Sequence, residues 1–519
     1  MRYSDDLFQL IKSLSKSEKR YFKLAASVQR GEKNYLRLFD MIAEMEEYDE
    51  EAVRRHFAGE RFINQLNVTK HYLYEMVMKS LRAYHNEYSA KAQVADLVKS
   101  SDILREKGLH DQSRRMAEKA IAIAREHEVH VPLIDALRCM GQTISTDALT
   151  PSEIDARFDM LDNVVDEFRN LLHYERISAL ANSIQHNGHA RTDEEFQLLE
   201  RCRWDPMMDS MENARSVRAQ LLHLAVIAHY NYEHGNYEIL PSIVARQIEL
   251  LESHPAMIRE RPHFYLATLG NCALAFKVLG DIESYREALA YFRKRGEELL
   301  ATSQLANRRI RYYLFTTFHV SLLDFHATRG TFQDAAGLLA GLDEGLREHA
   351  AQLEDGMAVR LLSAAAKIQF GRGEFRSALD FNNRLLAMPE PKGAIDIYHH
   401  ARLFNIFIHF ELGNSDLVAS LIRSVARYYG TRGLLERFER CILRFFERML
   451  RTGAGEDQRK LLVSFREELL ELRDDPGSRA AFYYFNCIAW TTGRIEHRRF
   501  DEVIREMVDI EERLFQTAA

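Results

Sequence analysis

Histidines lead the residues able to do chemistry, because the chain has 21 of them. His127-Glu128-Val129-His130 is one residue short of the pattern in which two imidazoles at i and i+4 hold zinc on one helical face. His186-Asn187-Gly188-His189 spans an expected turn, with no carboxylate or thiol at ligand spacing. No metal is expected at either. Gly371-Arg372-Gly373 and Gly453-Ala454-Gly455 lack the lysine before Ser or Thr that a phosphate-binding loop needs, and no Gly-x-Ser-x-Gly elbow occurs. Carboxylate pairs such as Glu46-Glu47 and Glu50-Glu51 fit a solvated helix face, since an acid–base pair would need burial. Catalysis is not expected, and neither is a cofactor.

One stretch has the spacing of a DNA-reading element. Phe62 to Leu73 could form a helix, a tight turn at Asn67, and a second helix capped by Thr69. Lys70, His71, Lys79 and Arg82 would then face phosphates. A basic excess between Lys12 and Arg37 adds to this, but the acids from Glu44 to Glu51 offset it. A structural hairpin is the preferred expectation. Nucleic-acid binding is kept as the alternative.

The elements that must position these residues are helices. Glycine and proline number 24 and 9 among 519 residues, below the usual shares of about 7% and 5%, so turns are few. Apolar residues recur at helical spacing, as in Leu7, Leu10, Ile11 and Leu14, or Phe438, Cys441, Ile442 and Phe445. Ser15 with Glu18 makes a capping box, and Pro151, Pro206, Pro241 and Pro476 lie near expected helix boundaries. The net charge of -7 is mild and calls for neither nucleic acid nor an anionic membrane. Five widely spaced cysteines, without a CxxC pair, suit free thiols in a reducing compartment. Acids at Asp5 and Asp6 oppose a signal peptide, and no run approaches the roughly 18 apolar residues of a membrane helix. A cytoplasmic location and no membrane insertion are expected.

Gly108, Gly235, Gly280, Gly330, Gly373 and Gly413 each end one apolar helical stretch and precede another. Two copies stand out, Gly330-Thr331-Phe332-Gln333-Asp334-Ala335 and Gly373-Glu374-Phe375-Arg376-Ser377-Ala378. Glycine accepts the left-handed conformation that ends a helix, and the polar residue after it serves the next start. This turn resembles that of tetratricopeptide repeats, although the spacing here is about 40 to 50 residues where that family has 34. The opening from Asp6 to Phe22 is similar to the start of bacterial helical-repeat proteins. The resemblance implies an all-α solenoid of stacked antiparallel helix pairs. The expected divisions are an N-terminal helical region over 1–90, repeats over 91–430, and further helix pairs over 431–519.

In such arrays the first helix of each pair lines a concave face that holds a ligand. Carried back from the turn glycines, this register places His229, Tyr232, Asn271, Lys277, Arg360, Lys367 and His400 on that face. Lys277, Arg360 and Lys367 would form a positive strip suited to an acidic peptide or a C-terminal carboxylate. The expected function is therefore a non-catalytic scaffold that binds a protein or peptide. The alternative is a transcriptional regulator whose first 90 residues contact DNA through a helix-turn-helix-like region while the repeats sense a peptide.

Overall fold

In the computed structural model every regular element among the described residues is an α-helix or a short 3-10 turn. The described residues are 3–27, 34–86, 89–143, 150–185, 193–302, 307–350, 352–391, 393–452, 455–475, 478, 481–482 and 484–518. Short polar residues open several helices. The Glu18 carboxylate accepts from the Ser15 amide at 2.7 Å while Ser15 Oγ accepts from the Glu18 amide at 3.2 Å. Thr150 and Glu153 repeat the arrangement. Pro151 and Pro241 fall in the first turns of helices, where a missing amide hydrogen costs nothing, and Pro206 opens a 3-10 turn. Pro476, His186 and His189 lie outside the described residues.

The first group comprises α1 (Tyr3–Ser13), α2 (Lys16–Ser27), α3 (Asn34–Glu44), α4 (Glu50–His56) and α5 (Leu66–Asn86). Helix α5 is its spine, touching α1, α2 and α3. Leu7, Ile11, Phe22, Phe39, Leu73 and Val77 are buried together in one core. The turn expected at Asn67 is absent: Asn67 lies in the first turn of α5, behind a 3-10 turn at Arg61–Gln65. The segment expected as the first helix is that 3-10 turn, and α4 lies farther upstream.

Next come α6 (Ala90–Glu106), α7 (His110–Glu126), α8 (His130–Gln142), α9 (Pro151–Gln185) and α10 (Asp193–Arg203). At 35 residues α9 is unusually long for a globular protein. It packs on α8, α10 and α11 (Val217–Glu233).

The chain continues through α12 (Leu240–Glu252), α13 (Pro255–Glu260), α14 (Pro262–Leu279), α15 (Ile282–Thr302), α16 (Asn307–Arg329) and α17 (Ala336–Glu348). Then follow α18 (Asp355–Gly371), α19 (Phe375–Leu386), α20 (Ile395–Glu411) and α21 (Ser415–Thr431). All six turn glycines have positive φ, between 69° and 82°. Helices pack on their chain neighbours, and α14, α16, α18 and α20 also pack in succession.

The last helices are α22 (Arg437–Arg451), α23 (Glu456–Asp474), α24 (Cys487–Glu496) and α25 (Phe500–Ala518). Helix α22 shows why such elements form and where they must go. Phe438, Ile442, Phe445, Phe446 and Met449 are buried on one side, while Arg440, Arg444, Arg448 and Arg451 stay exposed on the other. Each such apolar side chain is worth about 1.5–3 kcal/mol when buried. Helix α24 begins at Cys487. Tyr484 and Phe485 precede it and lie against α18 and α20. Helix α25 then returns to α16. Gly330, at φ +69°, has no room for a side chain: a Cβ there would sit 2.7 Å from the Asp501 carbonyl oxygen. One apolar core runs from Leu323 to Ile504, straight across residue 430.

Candidate functional site

The register that places cations on the first helices of successive pairs brings three of them together. Lys277 on α14 donates to Asp324 Oδ2 on α16. Lys367 on α18 lies 3.8 Å from the other oxygen, Oδ1. Arg360, one helical face along α18, acts on the same carboxylate through its charge. Burial pulls the Asp324 carboxyl upward, but Lys277, Lys367 and Arg360 outweigh it and hold it down at about 2. Burial lowers the Lys367 ammonium, as do Lys277 and Arg360, and Asp324 only partly opposes them. Lys277 and Lys367 therefore share one carboxylate, Arg360 acts on it only through its charge, and the patch keeps an excess of positive charge. Arg360 is exposed and has no carboxylate within ion-pair distance among the described residues.

Asp324 was missed in the sequence although its position carries a signal. It stands six residues before Gly330 (330 − 324 = 6), as Lys367 stands six before Gly373 (373 − 367 = 6). The same offset from a turn glycine puts both on facing sides of α16 and α18, which pack together.

The remaining expected residues scatter. His229 is 6% exposed and lies beside Glu233 at 3.7 Å, so it faces the interior. Tyr232 is partly buried and packs against Tyr237 at 5.8 Å. Asn271 is exposed. His400 is covered: its ring stacks on Tyr484 at 4.1 Å and 23°. Lys367, Ser363, His400 and Tyr484 border a cavity of about 20 Å³, room for a water molecule and not for an organic ligand. The C-terminal segment roofs it. Phe485 packs against Phe370, Phe404 and Phe407 at 4.8–5.2 Å, and Trp490 packs on Phe407 while donating to Glu411 at 2.7 Å. The inner side of α18 and α20 is thus occupied by the chain itself beyond the Lys367 cluster.

The residues weighed for DNA separate as well. Lys70 is 3% exposed and donates to Glu50 at 2.6 Å and to Tyr48 Oη at 3.3 Å, which withdraws it from the surface. His71, Lys79 and Arg82 are exposed on α5.

The near-zinc sequence has a structural job. Glu128, at φ 47°, points its carboxylate at the start of α11 and accepts from the Val217 and Arg218 amides at 2.8 and 3.1 Å. His130 is buried and stacks on Phe168. Among the described residues no group of three or more His, Cys, Asp or Glu gathers to hold a metal ion. All five cysteines are free and four are buried. No helix among the described residues is long and apolar enough to cross a membrane. No model of a known protein family matches the chain, and no curated protein is detectably similar to it.

Proposed function

We propose that the chain is a non-catalytic binding protein, a tetratricopeptide-like solenoid of irregular helix pairs acting in the cytoplasm. Its partner is a protein or peptide that presents carboxylates to the patch made by Lys277, Arg360 and Lys367. The observation that supports this is the sharing of Asp324 by Lys277 and Lys367, with the exposed Arg360 acting on the same carboxylate only through its charge. Arg360 is left to reach outward, and its planar fork suits bidentate capture of a carboxylate. Preformed helices present such groups with little ordering cost on binding. The DNA-binding alternative draws no support from Lys70, which is committed to Glu50.

The test is affinity capture with the full chain and with Arg360→Glu, an exposed site whose change should leave the helical signal intact. The expected result is a captured acidic partner whose recovery falls at least about tenfold in the variant. Equal recovery would remove the patch from the binding surface.

A further inference from the structure

Helix α9 carries an apolar seam that nothing among the described residues covers. Phe158, Val165 and Leu172 are 56%, 36% and 46% exposed, and they follow one another at intervals of seven (165 − 158 = 7; 172 − 165 = 7). At 100° per residue a seven-residue step drifts by only about 20°, so the three form one stripe roughly four helical turns long. Exposed Ala179 continues it at the same interval (179 − 172 = 7). The opposite side of the helix is spent on the core, through Val164, Leu171, Tyr174, Ile177 and Ala181.

Beside the stripe runs a row of exposed charges at the same period: Asp155, Asp162, Arg169 and Arg176. The row is acidic in its first half and basic in its second. Only a surface that meets itself head to tail makes full use of such an order. We propose that two copies of this chain associate about a two-fold axis, laying the outward face of α9 antiparallel on itself with Val165 at the centre.

One register satisfies both rows. In an antiparallel pair, facing residues have a constant sum of numbers. Phe158 with Leu172 of the second copy sums to 330, as does Val165 with itself (158 + 172 = 165 + 165 = 330). Asp155 with Arg176 and Asp162 with Arg169 both sum to 331 (155 + 176 = 162 + 169 = 331). The charged row and the apolar row therefore agree to within one residue. Each ion pair occurs twice, because an isologous contact repeats every interaction. Arg169 already meets Asp166 of its own helix at 2.6 Å, a surface pair 74% and 47% exposed that leaves other donors of the guanidinium available. A parallel pairing would set Asp155 and Asp162 against their own copies, which disfavours it. A different partner would need a matching acid-to-base order by chance. A second copy has it by construction.

Sedimentation equilibrium of the full chain tests this. The expected result is a monomer–dimer equilibrium, roughly micromolar for an interface made largely by one helix pair. Arg169→Asp sets like charges opposite each other twice and should weaken dimerisation roughly tenfold. Combining it with Asp162→Arg restores opposite charges across the axis and should recover most of that loss. Val165→Cys should form a covalent dimer under mild oxidation, the unsubstituted chain serving as control because four of its five cysteines are buried. A chain that stays monomeric at 100-fold above that range overturns the proposal. So does a dimer indifferent to Arg169→Asp, or a monomer that uses α9 to hold a different protein.

Discussion

Two stretches of this molecule carry large apolar side chains, and they meet opposite fates. Phe485, Trp490 and Phe500 fold back on α16, α18 and α20, and Trp490 is left 3% exposed. Phe158, Val165 and Leu172 on α9 face outward. The difference does not lie in hydrophobicity. It lies in whether a later piece of chain returns to the surface. Near α18 one does, and that side of α18 and α20 becomes interior. Along the outer side of α9 none does among the described residues, and the stripe stays exposed. An apolar ribbon marks something to be covered without saying what covers it.

The comparison can be broken most forcefully at Trp490. Trp490→Ala removes a ring packed on Phe407 and Phe410 and takes from Glu411 its 2.7 Å donor, while Arg494 still pairs with that carboxylate at 3.2 Å. A stability loss of about 4 kcal/mol is expected in guanidinium unfolding. A loss under about 1.5 kcal/mol would mean that the returning segment only rests on the helices beneath it. Asp324→Asn probes the border between the covered side and the cationic patch. The native carboxyl at about 2 lies below its unfolded value of about 3.9, so its stabilisation is complete above that value and drains as pH falls toward 2. With the carboxylate 37% exposed, solvent screening limits the cost of its removal to about 1 kcal/mol at neutral pH. The variant should also lose stability less steeply in the acid range, measured by thermal unfolding across pH. Phe158→Ser is expected to do least, under about 0.5 kcal/mol for the monomer in the same unfolding assay. A larger loss would show that α9 is covered within one chain, and the contrast between the two regions would vanish.

Much of this architecture is legible in the sequence because it is local. Capping boxes such as Ser15–Glu18 and the six glycine turns depend on residues a few positions apart, and the structure contains them where the pattern puts them. The cationic cluster is half legible: Lys277, Arg360 and Lys367 follow from counting back along each helix, and Asp324 would have followed from the same count. What escapes is long-range. Lys70 reads as a surface cation until Glu50, twenty residues earlier, takes it (70 − 50 = 20). His400 reads as a groove residue until Tyr484 lies on it. Glu128 looks like part of a metal motif, yet its amide partners at 217 and 218 belong to another helix. Periodicity reports which side of a helix is greasy, and only the path of the chain reports its neighbour.

The close passage of Asp501 over Gly330 has a further consequence. Stacked helix pairs that touch only their neighbours can unzip from either end, one unit at a time. Here residues 171 positions apart are clasped together (501 − 330 = 171), so the pairs between them lie inside a closed loop. That stretch cannot fray at α25 without also releasing α16. It should melt in one step, and its assembly should wait for the slow search that brings such distant partners into touch.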